Sequence, residues 1–243
     1  MQEDQFKSIV YREIGSLMAA LAEPRRLAML DLLAQCERNV ETLARMLDLG
    51  VTTVSHHLQV LKKVRLVDER SKGRYRHYRA SSTALELWES ISRIASRDLS
   101  EIKCAVAEMT AAGGEPVDYR EAVRRARAGE AVLVDVRPAD EYLAGHAPEA
   151  ISIPLEELES GGSDGVSALP EGMEVFAYCR GRYCLLSEEA VELLQRRGVK
   201  AHRIEDGVAE WKATGKKLIR PRGQRKDYED TVDSQRSTVR HRA

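Results

Sequence analysis

The sequence predicts two domains of different class: a mainly α N-terminal domain built on a helix-turn-helix with a basic β-hairpin, followed by an α/β domain with a parallel sheet. Three observations carry this. Apolar residues recur at helical spacing from Ser8 to Met109, with one hairpin pattern between them. After Ala111-Ala-Gly-Gly-Glu-Pro116, whose glycines and proline mark a linker, short apolar runs alternate with helical stretches. A chain of 243 residues, 43% apolar and 32% charged, has the length for two globular domains and the composition of a soluble protein.

The first domain is expected over residues 1–112. Ile9, Ile14, Leu17 and Leu21 define one helical stripe and Leu27, Leu30 and Leu33 a second, with the break at Glu23-Pro24. Val40 to Leu47 reads as a short third helix that Gly50 ends. A fourth runs from Val51 to Lys63 with Val54, Leu58 and Leu61 turned inward, and the tight Asp48-Leu49-Gly50 turn before it completes a helix-turn-helix. Leu66 to Arg70 and Tyr75 to Arg79 read as two strands closed by Ser71-Lys72-Gly73. From Thr83 to about Met109 a single long helix is expected, and so long an apolar stripe beyond a complete helix-turn-helix and wing suggests a dimer interface.

Thr52, Thr53, Ser55, His56 and Gln59 occupy the outward positions of the fourth helix. Short hydrogen-bonding side chains there reach base edges in a major groove without holding the backbone away. The overall charge of −1 hides a basic concentration: Lys62, Lys63, Arg65, Arg70, Lys72, Arg74, Arg76 and Arg79 meet only Asp68 and Glu69. Lys72 and Arg74 at the hairpin tip are placed to touch phosphates or enter a narrow minor groove, so double-stranded DNA is the expected partner.

The second domain is expected over residues 116–220. Its elements are a helix from Tyr119 to Ala128, strands at Val132 to Val136, Ile151 to Ile153, Val175 to Tyr178 and Ala201 to Ile204, a helix from Ser187 to Arg197 closed by Gly198, and a helix around Glu210. Chemistry in such sheets sits beyond the carboxyl ends of the strands. Cys179 stands there, opening Cys179-Arg180-Gly181-Arg182-Tyr183-Cys184 before a helix that starts near Leu185. Backbone N–H groups and a helix start aimed at one sulfur favour its anion. An ordinary cysteine titrates near ~8.5 and falls to roughly 3.5–7.5 in such settings, so a reactive Cys179 thiolate is expected. Residues 221–243 are polar and charged without apolar period, and are expected to form a disordered tail.

The charged start carries no signal-peptide pattern and no run has the apolar length of a membrane span, which gives the expectation of a cytoplasmic protein without membrane contact. Four cysteines at uneven spacing are too few for a disulfide framework.

Val54-Ser-His-His-Leu-Gln-Val-Leu61, followed by Gly73-Arg-Tyr-Arg-His-Tyr78, resembles the ArsR family of winged-helix repressors over roughly Ile14 to Met109. The resemblance implies a homodimer, with the first helix joining the interface, that releases DNA when an inducer binds. Gly50 stands where many members have a Ser or Thr cap. Metal sensors of the family place paired cysteines on the third helix or His and carboxylates on the last; Asn39 to Met46 has no cysteine and Thr83 to Ala112 no histidine, while His56 and His57 are adjacent and face different ways. No metal and no cofactor are expected. Cys36 and Cys104 match, with Cys36 slightly displaced, a cysteine pair found in sulfide-responsive members, and a thiol switch between them stands beside the reading that both are incidental.

Asp135-Val-Arg137-Pro-Ala-Asp-Glu141-Tyr142-Leu-Ala-Gly145-His146-Ala-Pro-Glu-Ala150, the Cys179 loop and Glu205-Asp-Gly207-Val-Ala-Glu-Trp211 resemble, in that order, the rhodanese domain. This implies a sulfurtransferase fold in which Cys179 carries a persulfide within the N–H groups of Arg180 to Cys184, with Arg180 and Arg182 adding positive potential. The six-residue loop matches rhodaneses, whereas related phosphatase loops are one residue longer. Glu149 replaces a usual glycine and Ala147 an aliphatic residue. Cys184, where Ser, Thr or Arg is common, either resolves the persulfide or packs at the helix start. Asp135 and Arg137 either pair to orient the loop or touch substrate.

Together the modules suggest a homodimeric DNA-binding regulator, of repressor type, that responds to reactive sulfur through Cys179. The sulfane-sulfur donor would be thiosulfate, polysulfide or a persulfide. Two other readings are a sulfurtransferase whose helical half serves dimerisation, and a regulator in which Cys179 supplies sulfur to Cys36 and Cys104.

Overall fold

A computed structural model describes residues 3–110, 115–160, 169–170 and 172–221. The expected tail and most of the linker turn lie outside these residues.

In the first domain, α1 (Glu3–Leu21) and α2 (Pro24–Gln35) are divided by Glu23, whose carboxylate accepts the Arg26 N–H at 3.1 Å and caps α2. Asn39 caps α3 (Val40–Met46) in the same way, accepting from the Thr42 N–H at 2.8 Å. The turn into α4 (Val51–Lys63) takes its left-handed residue at Asp48 (φ 50°), while Gly50 is extended and serves as the N-cap without a side-chain bond. Leu43, Val54, Leu58 and Leu61 close the core between these helices. The wing pairs β2 (Val67–Lys72) with β3 (Tyr75–Ala80), antiparallel, in register from Val67 opposite Ala80 to Lys72 opposite Tyr75. A third strand, β1 (Arg38–Asn39), lies on the other side of β3 with Arg38 opposite Tyr78. Two polar residues give no alternation to read, so β1 is invisible in the sequence.

The expected single helix at the end of this domain is two, α5 (Ser82–Asp98) and α6 (Ser100–Met109). Leu99 between them is extended (φ −93°, ψ 111°). Asp98 opposes the negative end of α5, and Ser100 favours a helix start, so the break falls where local preferences change sign.

The second domain carries a four-stranded parallel sheet in the order β5-β4-β6-β7, formed by β4 (Ala131–Asp135), β5 (Ala150–Ser152), β6 (Glu174–Tyr178) and β7 (Ala201–Arg203). On β6 the side chains alternate. Val175, Ala177 and then Cys179 face the core shared with α10 (Leu186–Arg196), whereas Phe176 and Tyr178 face the opposite core with α7 (Tyr119–Arg127) and α11 (Val208–Ala213). Trp211 fills that second core against Tyr119 and Tyr178, at ring separations of 4.4 and 4.8 Å. Two short helices absent from the sequence reading, α8 (Ala139–Ala144) and α9 (Leu155–Glu159), each start directly after a proline. Glu149 holds the left-handed conformation (φ 68°) that makes glycine the common residue at this turn.

The domains are joined by more than their linker. The α11 helix packs on α5 and α2, and its Lys212 Nζ donates to the Ala34 and Gln35 carbonyls at 2.5 and 2.6 Å, satisfying orphan groups at the α2 C-terminus. Burial brings the Lys212 ammonium down to about 8. Replacing it, as Lys212→Met, leaves two carbonyls unpartnered in the domain boundary. A loss of about 1–3 kcal/mol is expected in chemical denaturation of the full chain, with faster hydrogen exchange confined first to the end of α2.

Candidate functional site

Cys179 follows the last residue of β6, at the carboxyl edge of the sheet, and is only 4% exposed. Its Sγ lies 3.3 Å from the Ser187 Oγ and 3.2 Å from the Cys184 carbonyl oxygen. Burial opposes ionisation, but hydrogen bonds from the Cys184 thiol, the Ser187 hydroxyl and the backbone of Ser187 and Gly181 outweigh it, bringing Cys179 down to about 7. The partner effect is opposite in sign. Its hydrogen bond to Cys179, reinforced by burial, holds the Cys184 thiol protonated.

The remaining loop groups are placed differently from the sequence expectation. The Arg182 N–H donates to Glu210 Oε1 at 3.1 Å and the Cys184 N–H to the Gly181 carbonyl at 3.0 Å, so neither is turned to the sulfur. Glu210 reaches beneath the loop because glycines remove the obstruction. A Cβ at Gly181 would stand 2.8 Å from Glu210 Oε2, and one at Gly207 only 2.4 Å from the Gly181 nitrogen. Burial pushes the Glu210 carboxyl up, and the N–H groups of Gly207 and Arg182 partly restore its ionisation.

The loop arginines likewise serve other partners. Arg180 forks onto Glu141, with its Nε 2.9 Å from Oε2 and Nη2 2.8 Å from Oε1. Arg182 points to Asp206 at 3.5 Å, to Glu89 at 3.7 Å and to the Ser92 Oγ at 3.4 Å. Each guanidinium is compensated by carboxylates, so the thiolate preference rests on neutral hydrogen-bond donors. Asp135 and Arg137 are wholly enclosed and paired through Nη2 to Oδ2 at 2.6 Å; Arg137 further donates to the Gly145 carbonyl at 2.8 Å and to Gln35 Oε1 of the first domain at 3.2 Å. Their enclosure makes the pair a support for the sheet end and the domain boundary.

Residues the sequence reading missed complete this site from the first domain. Gln35 Nε2 donates to the Arg180 carbonyl at 3.2 Å. Arg38 reaches Glu141 at 2.7 Å and Asp140 at 2.8 Å. Tyr183 donates its hydroxyl to the Ser92 carbonyl at 2.8 Å, stands 2.8 Å from the Ser96 Oγ, and meets the Trp88 ring edge-on at 6.4 Å. No pattern in the sequence marks Gln35, Arg38, Ser92 or Ser96, each of which reads there as an ordinary polar residue; the burial of Gln35 emerges only from the fold.

Across the first domain, Thr52, His56 and Gln59 are exposed on one face of α4, with Thr53 and Ser55 half-buried at its margins. His57 turns inward, its Nδ1 3.9 Å from Glu23. Lys72 and Arg74 are exposed at the wing tip, and Arg74 lies over the Tyr75 ring at 4.9 Å. Much of the basic excess is internally compensated: Glu69 pairs with Lys62 and Arg76, Asp68 with Arg79, and Glu37 with Arg70. Cys36 caps α2 and turns to the second domain, its Sγ 3.9 Å from Asp140 Oδ2; burial pushes its thiol up to about 12, Arg38 offsetting this only in part. Cys104 is exposed on α6, and both are free thiols.

A winged helix-turn-helix joined to a cysteine-loop α/β domain defines a two-module regulator, and comparison with known proteins agrees. Residues 23–69 match the model of the bacterial regulatory protein arsR family and residues 118–214 that of the rhodanese-like domain. The HTH-type transcriptional regulator Rv0324 of Mycobacterium tuberculosis is 38% identical over 210 residues, covering 86% of this chain and 91% of that protein. The transcriptional repressor SdpR of Bacillus subtilis is 26% identical over 73 residues, 30% of this chain and 81% of the relative. Among solved structures, a homodimeric winged helix-turn-helix DNA-binding domain from Mycobacterium bovis is 35% identical, covering 42% of this chain and 94% of its own, at a TM-score of 0.39. The chain belongs to the arsR family of bacterial regulatory proteins, as a transcriptional regulator with a rhodanese-like domain behind its DNA-binding domain.

Iodoacetamide labelling followed by mass spectrometry tests the loop's electrostatics. Cys179 is expected to react with a midpoint near pH 7, and Cys36 to stay unlabelled through neutral pH. The folded value lies below that of an unfolded cysteine, so the ionised loop adds stability above the unfolded value that is lost as pH falls through about 7. Gly207→Ala, which drives a methyl into the Gly181 backbone, is expected to move the labelling midpoint back toward ~8.5.

Proposed function

We propose that this chain is a cytoplasmic, homodimeric DNA-binding regulator, of repressor type, whose affinity for its operator changes when reactive sulfur converts Cys179 to a persulfide. The observation that carries this reading is the seating of the cysteine loop on the DNA-binding domain: Tyr183 and Arg182 hold Ser92 on α5, and the Arg180 carbonyl holds Gln35 on α2.

The chemistry begins with the Cys179 thiolate. It attacks the sulfane sulfur of a donor; with thiosulfate the new S–S bond forms as the S–S bond of the donor breaks, and sulfite departs with the electron pair. The product adds one sulfur atom to a side chain that is already enclosed, and close-packed surroundings transmit such a change rather than absorb it. The six-residue loop then shifts against α5 and α2, the helices it touches.

Dimerisation is supported by the apolar side chains that α1 leaves exposed (Phe6, Tyr11, Ile14, Met18), together with Ile94, Leu99 and Met109 on α5, α6 and between them. In a dimer, two α4 helices would present Thr52, Thr53, Ser55, His56 and Gln59 to successive major grooves, with Lys72 and Arg74 of each wing on the flanking backbone.

The sulfurtransferase reading draws on the same thiolate and requires turnover with a thiol acceptor. Relay of sulfur to Cys36 and Cys104 is disfavoured by placement: the Cys36 thiol turns to Asp140 and Cys104 is exposed on α6, whereas the Cys179 Sγ is enclosed against Cys184 and Ser187. A gel-shift titration separates them. Polysulfide is expected to weaken operator binding of the wild type by at least about tenfold, near 1.4 kcal/mol, and to leave Cys179→Ser unaffected. Equal responses of both proteins, or none in either, would refute sensing through Cys179. Steady thiosulfate turnover with DNA affinity unchanged would favour the enzyme.

A further inference from the structure

The loop holds two cysteines, and they have different surroundings. Cys179 is enclosed, with its Sγ 3.2 Å from the Cys184 carbonyl and hydrogen-bonded by the Cys184 thiol. Cys184 lines a cavity of about 150 Å³ between the domains, walled by Leu27 and Asp31 of α2, Trp88 of α5, Tyr183 and Glu210. The inner cysteine is therefore the more readily ionised of the two, and the outer one is a thiol of the same loop with open space beside it. Cys184 also follows Tyr183, the residue whose hydroxyl holds α5 at Ser92.

We propose that Cys184 is the resolving thiol of this site, closing onto Cys179 after persulfidation to give a Cys179–Cys184 disulfide and hydrosulfide. The proposal rests on the reading that Cys179 accepts sulfane sulfur. Its step is balanced within the loop. The Cys184 sulfur attacks the Cys179 Sγ; the bond from that Sγ to the outer sulfur breaks, and the outer sulfur leaves with the electron pair and the Cys184 proton as HS⁻. Two cysteine sulfurs are oxidised and the sulfane sulfur is reduced to sulfide, so no other oxidant is needed.

Persulfidation itself prepares the attack. In the resting loop the hydrogen bond to Cys179 and burial favour the protonated Cys184 thiol. Once Cys179 carries a second sulfur, the negative charge moves to the outer atom and its inner Sγ becomes an electrophile beside Cys184. The cavity gives hydrosulfide a place to leave. The persulfide becomes an internal disulfide, which reopens by thiol exchange or reduction, and its closure draws Cys184, and Tyr183 with it, toward the sheet.

The test is mass mapping of the full-length chain after polysulfide treatment and removal of excess donor, on the wild type, Cys184→Ser and Cys179→Ser. The wild type is expected to yield a crosslinked Cys179–Cys184 peptide lacking two hydrogens, with hydrosulfide released in equal amount. Cys184→Ser is expected to keep a stable extra sulfur on Cys179, and Cys179→Ser to form no crosslink. A stable Cys179 persulfide in the wild type, without crosslink, overturns the resolving role and leaves persulfide sensing intact. Absence of added sulfur on Cys179 in Cys184→Ser overturns both. A crosslink that hydrogen peroxide forms but polysulfide does not overturns the proposal as well.

Discussion

The structure depends on one enclosed carboxylate. Glu141 has no exposure to solvent and takes a guanidinium from each domain, Arg38 from the strand beside the wing and Arg180 from the cysteine loop. A lone buried charge is strongly unfavourable, and removing one member of such a cluster costs about 3–5 kcal/mol because the others are left uncompensated. The three groups therefore hold or fail together. Arg38 pairs through its backbone opposite Tyr78 in β3 and through its side chain with Glu141, so the wing sheet and the sulfur loop meet at one residue.

Around that cluster, smaller contacts remove the remaining freedom. Lys212 caps α2, Gln35 ties its end to Arg137 and to the Arg180 carbonyl, and Tyr183 lies along α5. The charged members of the loop are used for this docking, which leaves Ser187, Cys184 and a few backbone groups to set the thiolate. Division of labour between neutral donors at the sulfur and ionic contacts at the boundary lets reactivity and docking be altered separately by substitution.

Much of this was legible in the sequence, and what was not has a common cause. The inward stripe Val54, Leu58, Leu61 and the alternation of Val175 to Tyr178 follow from periodicity, so α4 and β6 could be placed, and with β6 the sheet-end position of Cys179. The resemblance to the rhodanese domain also marked Glu149 as a departure, and its left-handed backbone shows why glycine is the usual residue there. The partners of Arg180 and Arg182 were out of reach because they lie far away along the chain: Glu141 precedes Arg180 by 39 positions and Ser92 precedes Arg182 by 90. A basic loop beside an anion site suggests charge stabilisation, and only the fold shows that carboxylates have already claimed both cations. The two-residue β1 and the break at Leu99 were hidden for the opposite reason, being too short to interrupt a pattern.

The glycine contact between the two loops of the second domain bears on how such proteins diverge. The Gly207 Cα sits against the Gly181 backbone so closely that neither segment can vary alone, and Glu210 fastens them from beneath. The same loop is fitted on its outer side to α2 and α5. A rhodanese-like domain transplanted from another protein would bring its inner fit with it but not its outer one. The two domains of this chain are thus a matched pair, fitted to each other through Gln35, Arg38, Ser92, Glu141 and Lys212.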